Sequence, residues 1–157
     1  MLTLRCTQRL LTRLRCDDDF VGEAAQTSTR LGDWYATLLP RRRPELALCV
    51  SEQTRIGVFV RVVPTASFIA RFRIAVGDLL PAIGLTASET ADELRAMDII
   101  VPGRTANRSV VGTMLDLEQF VSEGRVEDLS AESVALADVI SLAMPTTPRL
   151  AALAAFR

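Results

Sequence analysis

The sequence predicts an α+β fold: an antiparallel sheet, formed by a meander plus a further hairpin, with helices packed mainly on one face. Three observations lead there. Ile56, Val58, Val60 and Val62 alternate with Gly57, Phe59 and Arg61, the period of a half-buried strand. Phe68, Ile69, Phe72, Ala75, Val76, Leu79, Leu80 and Ile83 recur at helical spacing and mark one wide apolar face. Thr86-x-x-Glu89 is a capping box, which announces a second helix directly after the first.

The elements follow in order. Residues 2–6 read as a short strand, with Leu2 and Leu4 on one face. Thr7 then caps a helix whose stripe is Leu10, Leu11 and Leu14. Residues 17–30, acidic and then rich in Gln, Thr and Ser, read as a surface loop. Three strands are predicted over 34–39, 45–50 and 56–63, joined by turns at Arg41-Arg42-Arg43-Pro44 and at Ser51-Glu52-Gln53-Thr54, and closed by Pro64. The long helix runs over 65–84, with Pro81 in its last turn and Gly84 at its end. The capped helix reaches about Met97. Residues 99–101 and 108–114 are predicted as strands on either side of the Pro102-Gly103-Arg104-Thr105 turn. Val110, Met114, Leu117 and Val121 also fit a helix, but the preferred reading starts a helix at Leu117. A last helix covers 131–144, opened by Ser130 and stopped by Pro145. Residues 1–148 are expected to form one domain, with 149–157 a loosely held Ala-rich tail.

At 157 residues, with 49% hydrophobic and 24% charged side chains, the chain is long enough to bury a core and ordinary in composition. No apolar run reaches the length of a membrane span, and no signal-peptide layout opens the chain; a cytoplasmic protein without membrane contact is expected. Cys6, Cys16 and Cys49 lack the spacing of a zinc site or a disulfide framework, which suits a reducing compartment. Histidine is absent, and all eighteen basic residues are arginine. These absences remove the usual general base, the usual zinc ligand, the Schiff-base amine and the P-loop lysine. Net charge is −1, yet residues 1–73 carry +5 and residues 74–157 carry −6. The basic half can offer a phosphate-binding face, or it can be neutralised by the acidic half.

Candidate functional residues cluster in a few places. Asn107, the only asparagine, precedes Arg108 and Ser109, so an amide, a guanidinium fork and a hydroxyl stand in succession and can hold a phosphate or carboxylate. The same residues also suit a plain turn with Arg108 paired to a local acid. Asp33 precedes the only Trp, Trp34, and the only Tyr, Tyr35; a flat ring there can stack on a base, or alternation can send one of the two into the core. Glu52 and Arg55 sit at a turn between strands. Asp33, Glu52 and Asp116 are the carboxylates that could meet as a metal site, but no spacing demands one; neither a metal nor a cofactor is expected. Arg41-Arg42-Arg43 can meet phosphates without base specificity.

At Leu31-Gly32-Asp33-Trp34-Tyr35-Ala36 and Asn107-Arg108-Ser109-Val110-Val111-Gly112-Thr113-Met114 the chain resembles a family of small bacterial proteins known as a domain of unknown function. The resemblance runs from the opening Leu-Thr-Leu-Arg-Cys-Thr to about Pro145 and includes Ser51-Glu52-x-Thr54 and Arg71-Phe72. It implies no established activity, and its bacterial character suggests a plasmid, toxin–antitoxin or defence setting.

Three functional readings follow. The first is a module that binds an anion, RNA or a nucleotide, through Arg55, Asn107, Arg108 and Ser109, with Trp34 as a stacking ring. The second is a histidine-free nuclease or phosphotransfer enzyme. There Arg55 and Arg108 stabilise phosphate charge, and Glu52, Asp33 or Tyr35 accepts a proton. The third is a protein–protein adaptor or homodimer that pairs through a sheet edge.

Overall fold

The computed structural model describes residues 1–16, 26–40, 44–121, 128–139 and 144–157. The acidic stretch of the predicted 17–30 loop, the Arg41-Arg42-Arg43 tip and residues 140–143 of the predicted last helix lie outside these.

Five strands, β1 (Leu2–Cys6), β2 (Trp34–Leu38), β3 (Leu46–Ser51), β4 (Gly57–Arg61) and β5 (Ile100–Arg104), form one mixed sheet in the order β4-β3-β2-β1-β5. The meander β2-β3-β4 is antiparallel as expected, with Tyr35 opposite Val50 and Cys49 opposite Val58. The rest corrects the antiparallel prediction. β1 runs parallel to β2, with Leu4 beside Trp34, and parallel to β5, with Leu2 beside Ile100. Helix α1 (Gln8–Leu14) follows β1, so the chain opens with a strand, helix and parallel strand before turning into hairpins.

The second correction concerns residues 108–114, which are helix and not strand. Helix α4 spans Arg108–Val121. The helical periodicity prevailed over the β-branched pair Val110-Val111 because Val110, Met114 and Leu117 come onto one face and bury against Tyr35, Leu48, Val50 and Phe59 of the sheet. Among the described residues no further hairpin forms, and β5 is an edge strand beside β1.

Helices therefore cover both faces. Helices α1, α2 (Phe68–Ala82) and α3 (Ala87–Ala96) build the larger core with Leu2, Leu4, Trp34, Cys49 and Val58. A 3-10 turn over Thr65–Ser67 leads into α2, whose Phe68, Phe72, Val76, Leu79 and Leu80 are buried, with Ile83 beyond it. The capping box at Thr86 and Glu89 is formed in both directions. On the other face α4 and α5 (Leu129–Leu136) cover the second core. Asp128, not Ser130, caps α5, which starts two residues earlier and ends earlier than read from sequence. Residues 149–157, expected as a loose tail, belong largely to α6 (Pro148–Ala155), whose Pro148 and Ala152 are buried and whose start is capped by Thr147.

Both edges of the sheet are blunted. The N–H of Phe59 on β4 donates to Ser133 Oγ of α5 at 3.1 Å, so a side chain takes the place of a further strand. On β5, Pro102 pairs in register with Leu4 and has no N–H to offer an incoming strand.

Glu93 of α3 holds the corner that leads into β2. It is 2% exposed, and its carboxylate accepts from the Arg30 N–H at 2.9 Å and the Leu31 N–H at 3.2 Å. Burial pushes its pKa above the ordinary glutamate value, with the two N–H bonds and Arg30 opposing.

Two predictions follow from this packing. Trp34 and Phe72 meet edge to face at 5.3 Å in the centre of the larger core, so Phe72→Ala should lower the unfolding free energy by about 3–5 kcal/mol in urea titrations. For Glu93, the folded chain holds its proton to higher pH than the unfolded chain. That contribution to stability is full below the unfolded value near 4.5 and is lost as pH rises through the folded pKa. Relative to Glu93→Gln, which does not titrate, the wild type should gain stability as pH falls from neutral toward that value, measured by paired melts.

Candidate functional site

The turn after β3 is fixed by a buried hydroxyl. Ser51 Oγ donates to Leu31 O at 2.6 Å, accepts from the Thr54 N–H at 3.1 Å and lies 2.9 Å from Thr54 Oγ1. The Glu52 N–H donates to Asp33 O at 2.8 Å, and the Arg55 N–H to Ser51 O at 3.1 Å. Gly32 completes the corner at φ 74°; a Cβ there would come within 2.8 Å of the Gln53 side chain, so glycine is required before Asp33. The turn leaves Arg55 at φ 61°, a left-handed conformation that is strained for a side-chain-bearing residue by on the order of 1–3 kcal/mol.

From this turn Glu52 and Arg55 reach toward the start of α4. Asn107 Oδ1 accepts from the Ser109 N–H at 3.0 Å and Asn107 O from the Val111 N–H, which makes Asn107 the N-cap of the helix. Its Nδ2 donates to Glu52 Oε1 at 3.1 Å, and its own N–H donates to the Tyr35 hydroxyl at 3.1 Å. Tyr35 in turn donates to the same Glu52 Oε1 at 3.5 Å, a long contact. Burial raises the Tyr35 pKa, with the Glu52 charge adding to it and the Asn107 N–H and Arg5 opposing.

Arg55 is the unusual member. Only 9% of it is exposed, yet among the described residues it pairs with no carboxylate. Its Nη1 donates to the Glu52 carbonyl, its Nη2 to Ser109 Oγ at 3.3 Å, and its buried Nε has no partner. Burial lowers its pKa, with the charges of Glu52 and Tyr35 opposing. The first turn of α4, where Ser109 stands, contains no acidic residue to offset the positive end of the helix dipole.

The structure thus joins Tyr35, Glu52, Arg55, Asn107 and Ser109 by hydrogen bonds, and places each of the other candidates differently. Trp34 is fully buried on the opposite sheet face against Phe72, as alternation along β2 requires, so it offers no stacking surface. Asp33 is held by Arg5 Nε at 2.9 Å and by the Thr3 N–H at 3.3 Å. Arg108 is exposed at the helix start, and among the described residues its side chain has neither a hydrogen bond nor an ion pair, so it has no local acid to abandon. Asp116 is exposed further along α4, and among the described residues no group of three or more acidic or Cys side chains could hold a metal.

Sequence reasoning passed over Arg5. Its guanidinium lies 6.0 Å from the centre of the Tyr35 ring and also donates to Arg104 O at 3.2 Å. The signal was an arginine inside an apolar strand, opposite the Leu2 and Leu4 face. Away from this site, an opening of about 480 Å³ over α1 is lined by Arg9, Arg13 and Arg15 with Gln8, Thr12 and Leu38. Between described residues, Arg73–Asp98 is the ion pair that joins the basic and acidic halves; Arg5–Asp33 and Arg13–Glu45 lie within the first half.

The family described as Domain of unknown function (DUF6933) matches residues 3–149, and the chain belongs to it. No curated protein and no solved structure matches the chain. No helix among the described residues is long and apolar enough to cross a membrane.

The contrast between Ser51 and Arg108 is measurable in thermal and urea melts without ligand. Ser51→Ala leaves the Thr54 N–H without its acceptor in a buried turn and should destabilise by about 1–3 kcal/mol. Arg108→Ala should change stability by no more than about 0.5 kcal/mol, as for an unpartnered surface residue.

Proposed function

We propose that this member of the family is an anion-binding module that takes RNA or a nucleotide by its phosphate at the start of α4. The observation that carries the reading is Arg55: a cation more than nine-tenths removed from water, held in a strained backbone conformation, with neutral partners and a buried Nε left unsatisfied. A charge in such a place is normally paired. A phosphate bound at Ser109 Oγ and the α4 N-terminus would supply the missing counter-charge, with the exposed Arg108 closing over it. Asn107 has both ends of its amide committed and acts by holding the helix start in place.

The enzyme reading has less support. Of the proton acceptors it needs, Asp33 is neutralised by Arg5, and the Tyr35 phenol is buried with its pKa raised, which leaves Glu52. The adaptor reading is opposed by the two blunted sheet edges.

The test is binding of a fluorescently labelled oligoribonucleotide, titrated at several salt concentrations, with AMP and inorganic phosphate as competitors. Salt-sensitive binding is expected, and Arg55→Ala and Arg108→Ala should each weaken it by about 1.5–3 kcal/mol. Arg108→Lys should recover part of the loss, since an ammonium cannot reproduce the guanidinium fork. Absence of binding, or equal binding by all variants, would overturn the reading.

A further inference from the structure

We infer that Glu52 makes the site selective for a ribose: its second carboxylate oxygen accepts the 2′-hydroxyl next to the phosphate held by Arg55 and Ser109. The inference rests on the anion-binding reading and specifies which nucleic acid the site takes.

Both donors that reach Glu52, the Tyr35 hydroxyl and Asn107 Nδ2, go to Oε1, at 3.5 and 3.1 Å. Among the described residues Oε2 has no hydrogen-bond partner, and Glu52 is half-buried. Two donors on one oxygen hold the carboxylate in a single orientation while leaving a charged acceptor unused.

The position of that acceptor matters. The Glu52 carbonyl is a hydrogen-bond partner of Arg55, and the Glu52 charge acts on both Arg55 and Tyr35. The carboxylate is bonded to Asn107, whose side chain also takes the Ser109 N–H, so it stands at the same helix start as the proposed phosphate. A bare anion would be repelled by it. A ligand that carries a hydrogen-bond donor beside its phosphate turns the same charge into an attraction, because a hydroxyl bound to a carboxylate makes a short, charge-assisted bond. In a ribonucleotide strand the 2′-hydroxyl is that donor, standing beside the 3′-phosphate. In DNA it is missing, and the carboxylate faces the phosphate uncompensated. The 2′-hydroxyl is also the group by which proteins tell the two nucleic acids apart.

The roles of the neighbours follow. Tyr35 and Asn107 are positioning residues that saturate Oε1. Arg5, above the Tyr35 ring and bonded to Asp33, fixes that aromatic wall and does not reach the ligand.

The experiment compares three labelled strands of one sequence, with ribose, deoxyribose and 2′-O-methylribose, binding to the wild type and to Glu52→Gln. A charge-assisted hydrogen bond corresponds to roughly tenfold or more in affinity, so the wild type should prefer the ribose strand by about that factor over both others. The 2′-O-methyl strand keeps an acceptor and loses the donor. The deoxy strand loses both without adding bulk, so weak binding of both excludes a steric cause. In Glu52→Gln the amide oxygen stays with Tyr35 and Asn107, and an NH2 replaces the free oxygen. The variant should then bind ribose and 2′-O-methyl strands equally, because both can accept from it. Equal binding of all three strands by the wild type would overturn the sugar inference and leave the anion reading standing. An unchanged preference for ribose over 2′-O-methyl in a folded Glu52→Gln would also overturn it. Failure of every strand to bind would remove the anion reading itself.

Discussion

The geometry of the candidate site depends on the hydroxyl of Ser51. Its backbone belongs to β3, its side chain ties down the corner at Leu31, and it accepts the Thr54 N–H that closes the next turn. One buried oxygen therefore sets the distance between two segments that the chain presents separately. Glu93 reinforces the same corner from α3 by taking the Arg30 and Leu31 N–H groups. With the corner and the turn locked together, Glu52 and Arg55 have no freedom to relax away from α4. The unsatisfied state of Arg55 is then stored in the fold and is available to a ligand.

What the sequence could and could not convey divides along the range of the interactions. The meander was legible because alternation along 56–63 and the intervening turns are local signals. The long helix and the capping box were legible for the same reason. The parallel pairing of β1 with β2 and β5 left no trace, since Leu-Thr-Leu-Arg-Cys encodes a strand and not its neighbours. Residues 108–114 misled because the helix start was placed at Leu117, although Val110, Met114, Leu117 and Val121 keep helical spacing across that point. What decides their state is a distant apolar surface of Tyr35, Leu48 and Phe59, which rewards helical spacing. Among the site residues, Tyr35, Glu52, Arg55, Asn107 and Ser109 could be named because they stand in polar turns or carry rare side chains. That they converge could not be read, and neither could the alternation that buries Trp34. Arg5 was passed over because its partner Asp33 lies across the parallel strand pair.

An all-arginine complement of cations has a consequence for such a site. A buried lysine can escape an apolar setting by giving up its proton, whereas a guanidinium remains charged in nearly any protein environment. Burial does lower the Arg55 pKa, but a guanidinium starts far above neutral. Arg55 therefore remains a cation at neutral pH, and its demand for a counter-charge persists. Among the described residues no acidic side chain bonds to it: Asp33 is occupied by Arg5, and Glu52 gives the guanidinium its carbonyl, its carboxylate acting only through its charge.

The strand order of the sheet also governs when during folding the site comes into being. β2, β3 and β4 are sequential hairpins whose contacts close short loops, while β5 joins β1 only after some hundred residues of chain have been drawn together. Tyr35, Glu52 and Arg55 belong to the early part, whereas Asn107 and Ser109 arrive with the segment that follows β5. A chain still emerging from the ribosome can have a finished meander and yet no completed site. A ligand that bridges Arg55 and the α4 start would bind only the fully closed molecule and, by mass action, would hold the last-formed segment in place.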